Sequence, residues 1–69
     1  MHDFYVASSL RRRLEEDLAD ERHAIQSLRA MIPLLACDDA ATRPLVEAIL
    51  AAEELRANEL SDLLDGIRH

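Results

Sequence analysis

The stretch AILAAEELRANELSDLL, residues 48–64, decides the fold because it reads as one long amphipathic helix. Ala, Leu and Glu dominate it, and these residues are strong helix formers. With Leu45 at zero on a helical wheel of about 100° per residue, Arg56 falls at about +20° and Glu53 at about +80°. Both charged residues therefore lie at or beside the apolar side of the helix, and the rest of the chain must explain why.

The size of the chain limits what its core can supply. The sequence has 69 residues, which predicts a single small domain. A chain of this length buries only about 60% of the surface that it exposes when unfolded, so its core alone is marginal. Cys37 is the sole cysteine, so no disulfide can form within the chain. A metal, a second chain or both are left as the source of additional stability.

Charge and hydropathy exclude several classes of function. The net charge is −6, from 14 acidic and 8 basic residues, and an acidic chain without a basic face is not expected to bind nucleic acid. No apolar run approaches the roughly 20 residues that cross a bilayer, so no membrane partner is expected. The start MHDFYVASSLRRR lacks the basic-then-apolar order of a signal peptide. We expect a soluble protein of the reducing cytoplasm.

The first half of the chain predicts one long helix over about residues 9–36. Residues 1–7 show no helical period and are expected to form a flexible arm. Pro33 is expected to kink the last turns of the helix or to end it early. The apolar residues that recur at helical spacing are Leu10, Leu14, Leu18, Ile25, Leu28, Ile32 and Leu35.

The second half predicts a turn at about residues 37–41 and a second helix over about residues 42–65. Thr42 is the preferred N-cap of this helix, and Gly66 is expected to stop it. Two helices of about 25 residues, each about 38 Å long, must lie antiparallel when a short loop joins them. The expected apolar stripe of the second helix consists of Leu45, Ile49, Leu60, Leu63 and Ile67.

A lone helical hairpin leaves much of its apolar surface in water, and pairing two hairpins into a four-helix bundle is the usual solution. We therefore expect the partner of this chain to be a second copy, in a homodimer or a higher oligomer; whether a larger protein shell surrounds it stays open. On the first helix, Glu21 falls at about −20° from Leu14, in the middle of the apolar stripe. Because a buried, unpaired carboxylate is costly, Glu21 must meet a cation, share a proton or contact water.

At this point the sequence resembles one half of a ferritin-like four-helix bundle, of the bacterioferritin and rubrerythrin kind. The resemblance covers about residues 14–64 and is carried by LADERHAIQSLRAMI and DDAATRPLVEAILAAEELRANELSDLL. Glu21, which is followed three residues later by Ala24-Ile25, matches the position of the first metal ligand. Glu53 matches the Glu of the family's Glu-x-x-His motif. The resemblance implies an iron site of carboxylates formed between subunits, with ferroxidase chemistry as a further implication.

One departure from the family pattern bears directly on that site. Arg56 stands where the family places its liganding His, and an Arg is always charged and cannot bind a metal. Two hypotheses follow. In the first, Glu21 and Glu53 of two chains bind iron or another metal that prefers oxygen ligands. In the second, Arg56 pairs with these carboxylates, and the protein is a metal-free structural or interaction module.

Overall fold

The computed structural model describes residues 2–35 and 40–68. Helix α1 spans His2–Met31, a 3-10 turn spans Ile32–Leu34, and helix α2 spans Thr42–Arg68. The two helices pack along each other as an antiparallel hairpin, 59 Å long and 14 Å across in the other two directions. The predicted all-α helical hairpin is therefore confirmed. Within the described ranges, no helix is both long enough and apolar enough to cross a membrane.

Helix α1 begins at His2 rather than at about residue 9, so the flexible arm predicted at 1–7 is wrong for residues 2–7. An exposed helical segment needs no apolar period, because it has no core to face. The turns that follow are supported by an ion pair, because Arg11 lies 3.5 Å from Glu15, four residues later. Arg11 also shares a shallow recess with Ile67, so the start of α1 lies against the end of α2.

Pro33 ends the first helix early, as expected from its missing N–H. The chain tightens into the 3-10 turn, where the Leu35 amide donates a hydrogen bond to the Ile32 carbonyl at 3.2 Å. The predicted extension of helix 1 to about residue 36 is therefore wrong for residues 32–35. Residue 36 and Cys37 lie outside the described residues. Helix α2 begins at Thr42, as predicted, but it continues through Gly66 to Arg68, because Gly66 adopts no positive φ that would end it.

The core is a single seam between the two helices. Leu14, Leu50 and Leu60 pack against its buried residues from the rim. The buried hydrophobic residues of the described chain are Leu18, Ile25, Val46, Ala57 and Leu64. The centre of the stripe predicted on α1, at Leu18 and Ile25, therefore faces α2, whereas Leu10 of the same stripe is 51% exposed.

The face of α2 that contacts α1 differs from the one predicted. Leu45, Ile49 and Leu63, expected in the core, are 65%, 51% and 56% exposed. The buried face is instead centred on Val46 and Leu64, which fall at about 100° from Leu45 on the wheel. Helix α2 carries two neighbouring apolar stripes, and a helical wheel does not determine which of them meets α1.

The shape of the hairpin leaves a large surface exposed. The radius of gyration is 16.3 Å, whereas a compact domain of this length has about 11 Å. The accessible surface is 5520 Å², against about 4,400 Å² for a folded monomer of this mass. A single chain therefore exposes considerably more surface than a stable monomer of its size.

Candidate carboxylate site

Glu21 is the least exposed charged side chain of the predicted site. It lies on α1 between Leu18 and Ile25, so the packing of α1 on α2 covers it, and its side chain is only 12% exposed. Its Oε1 atom is buried and accepts no hydrogen bond from the described residues. A buried carboxylate oxygen without a donor is costly, so this site calls for an additional cation or donor.

Arg56 approaches Glu21 from α2 but does not fully compensate the charge of its carboxylate. Its Nη1 atom lies 3.9 Å from Glu21 Oε2, and its side chain is 63% exposed. This distance is too long for a hydrogen bond, and an ion pair this exposed contributes at most about 1 kcal/mol. The prediction that Arg56 lies well inside the apolar face of the bundle is wrong for the single chain, because the stripe that carries Arg56 is turned away from α1.

Glu53 lies one turn before Arg56 on α2, about 4.5 Å along the helix axis. Its side chain is half-buried, beside the seam with α1. It is absent from the residues that line the recess at Glu21. The structure thus brings Glu21 and Arg56 together in this recess, and Glu53 flanks it.

Two acidic residues that the sequence interpretation did not assign to the site also line this recess. Asp17 and Asp20 lie on α1 with Glu21, opposite Arg56 and Leu60 of α2. Asp17 is half-buried and lies 3.8 Å from Arg13. The spacing of four residues between Asp17 and Glu21 places them on one helix face and was the signal available in the sequence.

The described part of a single chain does not assemble a complete ligand set. Within residues 2–35 and 40–68, no group of three or more His, Cys, Asp or Glu side chains is arranged to hold a metal ion. The carboxylates at the recess are hard oxygen donors of the kind that iron, manganese and magnesium accept. Further ligands would have to come from a second chain or from water.

The opposite side of the hairpin is polar. Arg29 Nη2 donates a hydrogen bond of 2.7 Å to Glu54 Oε2 across the two helices. A second recess lies there, lined by Arg22, Gln26 and Asn58 with this ion pair. The two sides of the hairpin thus differ sharply: one is polar and internally paired, and the other carries Glu21, Arg56 and the exposed stripe of α2.

Comparisons with known proteins give one clear result. Searches of curated proteins and of solved structures returned no significant match. The family model for the ferritin-like domain matches residues 2–69, essentially the whole chain. This match extends the resemblance of residues 14–64 to both helices and agrees with the all-helical hairpin. The chain therefore belongs to the ferritin-like domain family.

Proposed function

We propose that this protein binds iron through carboxylates that two chains contribute to a shared site. The observation that carries this proposal is the buried carboxylate of Glu21, whose Oε1 atom has no donor among the described residues. The end of a Glu side chain rotates easily about its last torsion, so either oxygen can turn toward the recess. A divalent cation there would compensate the charge that Arg56 reaches only weakly.

The residues present fit iron by their chemistry. Glu21 is the principal ligand, and Glu53, half-buried beside the seam, is the second. Two chains would contribute four carboxylates, and ferritin-like bundles hold their metals in the core with Glu residues of facing helices. When bound, iron would supply redox chemistry with oxygen, and ferroxidase activity is the corresponding reaction. A reducing cytoplasm would supply Fe(II), in keeping with the lone Cys37.

The test is anaerobic loading of the full chain with Fe(II), followed by native mass spectrometry. We expect about one or two iron ions per pair of chains. The Glu21→Gln variant should lose most of this iron, because an amide is a much weaker ligand than a carboxylate. The Glu16→Gln variant, which changes an exposed carboxylate of the same helix, should bind iron as the wild type does. Equal loss in both variants, or wild-type chains without iron, would contradict the proposal.

The approach of Arg56 to Glu21 favours a second candidate, a metal-free structural module in which Arg56 takes the place of the metal. The Arg56→His variant distinguishes the two. If the wild type binds no iron and Arg56→His binds it tightly, the protein is a scaffold derived from a metal-binding fold. If the wild type already binds iron, Arg56→His should only raise the affinity, because a cation is replaced by a metal ligand.

A further inference from the structure

One side of the hairpin carries an unpartnered apolar surface on both helices. On α2 it consists of Leu45, Ile49, Leu63 and Ile67, which are between 37% and 65% exposed. On α1 it includes Leu10, 51% exposed, and Leu28, half-buried. By helical angle these residues lie on the side of the hairpin that holds Glu21 and Arg56. We call this surface the apolar face.

We propose that a second copy of the chain docks on the apolar face and that Arg56 of each chain pairs with Glu21 of the other. This inference rests on the two-chain assembly of the proposed function and describes the metal-free dimer, in which Arg56 compensates the Glu21 carboxylate until iron binds there in its place. It adds the face through which the chains meet and a charged pair that crosses between them.

The area of exposed surface is sufficient for an interface with a second copy of the chain. The chain exposes about 1,100 Å² more than a folded monomer of its mass is expected to expose. A standard interface buries about 800 Å² on each partner. The excess thus matches one interface of ordinary size. On the opposite side of the hairpin, the recess is lined largely by polar residues and by the Arg29–Glu54 pair.

The order of residues along the apolar face fits a two-fold axis. On α2, Arg56 lies midway between Leu45 and Ile67, and on α1, Glu21 lies between Leu10 and Leu28 of the apolar face. A two-fold interface is self-complementary, so the centre of one face meets the centre of the other and apolar ends meet apolar ends. In such a dimer, both Glu21 carboxylates and both Arg56 guanidinium groups lie at the middle of the interface, which we call the central level.

Within one chain, Glu21 and Arg56 are only weakly paired. Between two chains, the Glu21 of one can pair with the Arg56 of the other. The Glu21 carboxylate has no hydrogen bond among the described residues, while the exposed Arg56 guanidinium lies 3.9 Å away. Burial of this level by a second chain would exclude water and strengthen ion pairs made there. The partner's guanidinium can then donate hydrogen bonds to Glu21, and each Arg56 links the two chains.

The face is tested by analytical ultracentrifugation of the full chain in EDTA, which removes metal as a variable. We expect the wild type to sediment as a dimer or as a larger assembly of dimers. Leu63→Glu should raise the dissociation constant at least tenfold. Leu55→Glu is the matched control, because Leu55 is 60% exposed on the same helix but lies outside the apolar face. A monomeric wild type, or equal effects of the two variants, would overturn the proposed face.

The cross-chain pair is tested by mixing two oppositely charged variants. At the two positions of the pair, Glu21→Arg carries two cations and Arg56→Glu carries two anions, so each variant should assemble poorly alone. Mixed, they should form a heterodimer visible by native mass spectrometry, since every attractive pair then joins different chains. No heterodimer, with both chains helical by circular dichroism, would refute the cross-chain pair. Wild-type dimers without iron would refute only the proposed iron site.

Discussion

The residue that matters most in this chain is Glu21, because its environment leaves a charge without compensation. Glu53 and Glu54 illustrate the alternatives on the neighbouring helix. Glu54 is bonded to Arg29 at the polar side of the hairpin, 2.7 Å away, and Glu53 is half-buried beside the seam. Surface ion pairs such as Arg29–Glu54 contribute little to stability. A carboxylate kept at 12% exposure with one orphaned oxygen is costly and therefore points to function.

Leu64 is the residue on which the hairpin seam depends most, since it is only 2% exposed. The Leu64→Ala variant should lower the free energy of unfolding by about 2–4 kcal/mol, because it removes buried methyl groups and leaves a cavity. Urea denaturation followed by circular dichroism measures this change. The Leu55→Ala control, at a 60% exposed position, should stay within about 0.5 kcal/mol of the wild type. Equal losses would show that Leu64 is not a core residue.

At the scale of elements, helix α2 has two apolar faces that lie next to each other. One face, centred on Val46 and Leu64, packs on α1. The neighbouring face carries exposed leucine and isoleucine side chains on both sides of Arg56. Ala57 is small and buried, which permits close approach of the two helices at this level. The seam does not account for the position of Arg56 beside the apolar stripe, whereas the proposed second interface would account for it.

Gly66 weakens the last turn of α2 and offers a direct test of that element. It is exposed within the helix, has no positive φ, and a Cβ added there would meet nothing within 4 Å. Gly66→Ala should therefore stabilise the protein by about 0.5 kcal/mol, because alanine loses less conformational freedom in a helix. Thermal denaturation should show a raised midpoint. The reverse change at an exposed position of the same helix, Ala51→Gly, should lower it; a lowered midpoint for Gly66→Ala would contradict the helical assignment.

At the scale of the whole molecule, the hairpin is a thin rod. Its 59 Å length and 14 Å cross-section place nearly every residue close to solvent. Few side chains are buried along the seam, and a chain of this size needs additional burial to be stable. Pairing through the apolar face would convert two seams into the core of a four-helix bundle.

The thermal stability of such an assembly should depend on protein concentration. In EDTA, we expect the unfolding midpoint of the wild type to rise by about 3–6 °C for each tenfold increase in concentration, because association favours the folded state by mass action. Differential scanning calorimetry over two decades of concentration measures this slope. The Leu63→Glu variant should show a much smaller slope. A wild-type midpoint independent of concentration would mean that the chain is stable alone.

The sequence by itself determined the two helices and the identity of the charged residues among apolar ones. Composition and spacing suffice to predict the helices, since a helix is a local structure and its apolar period is visible in residues close together in the sequence. Thr42 as the start of α2 and Pro33 as the end of α1 follow from the same local rules. The start of α1 at His2 did not, because an exposed first turn carries no period to recognise.

Only the tertiary structure decided which stripe of α2 meets α1. Val46 and Leu45 are adjacent in sequence and similar in hydrophobicity, yet one is 8% and the other 65% exposed. That choice depends on packing between residues distant in the chain, which no local pattern records. It buries Glu21, leaves Arg56 at the surface and separates Glu53 from their recess. The physical reason is that the burial of a residue depends on how two helices pack, whereas the apolar period is a property of one helix alone.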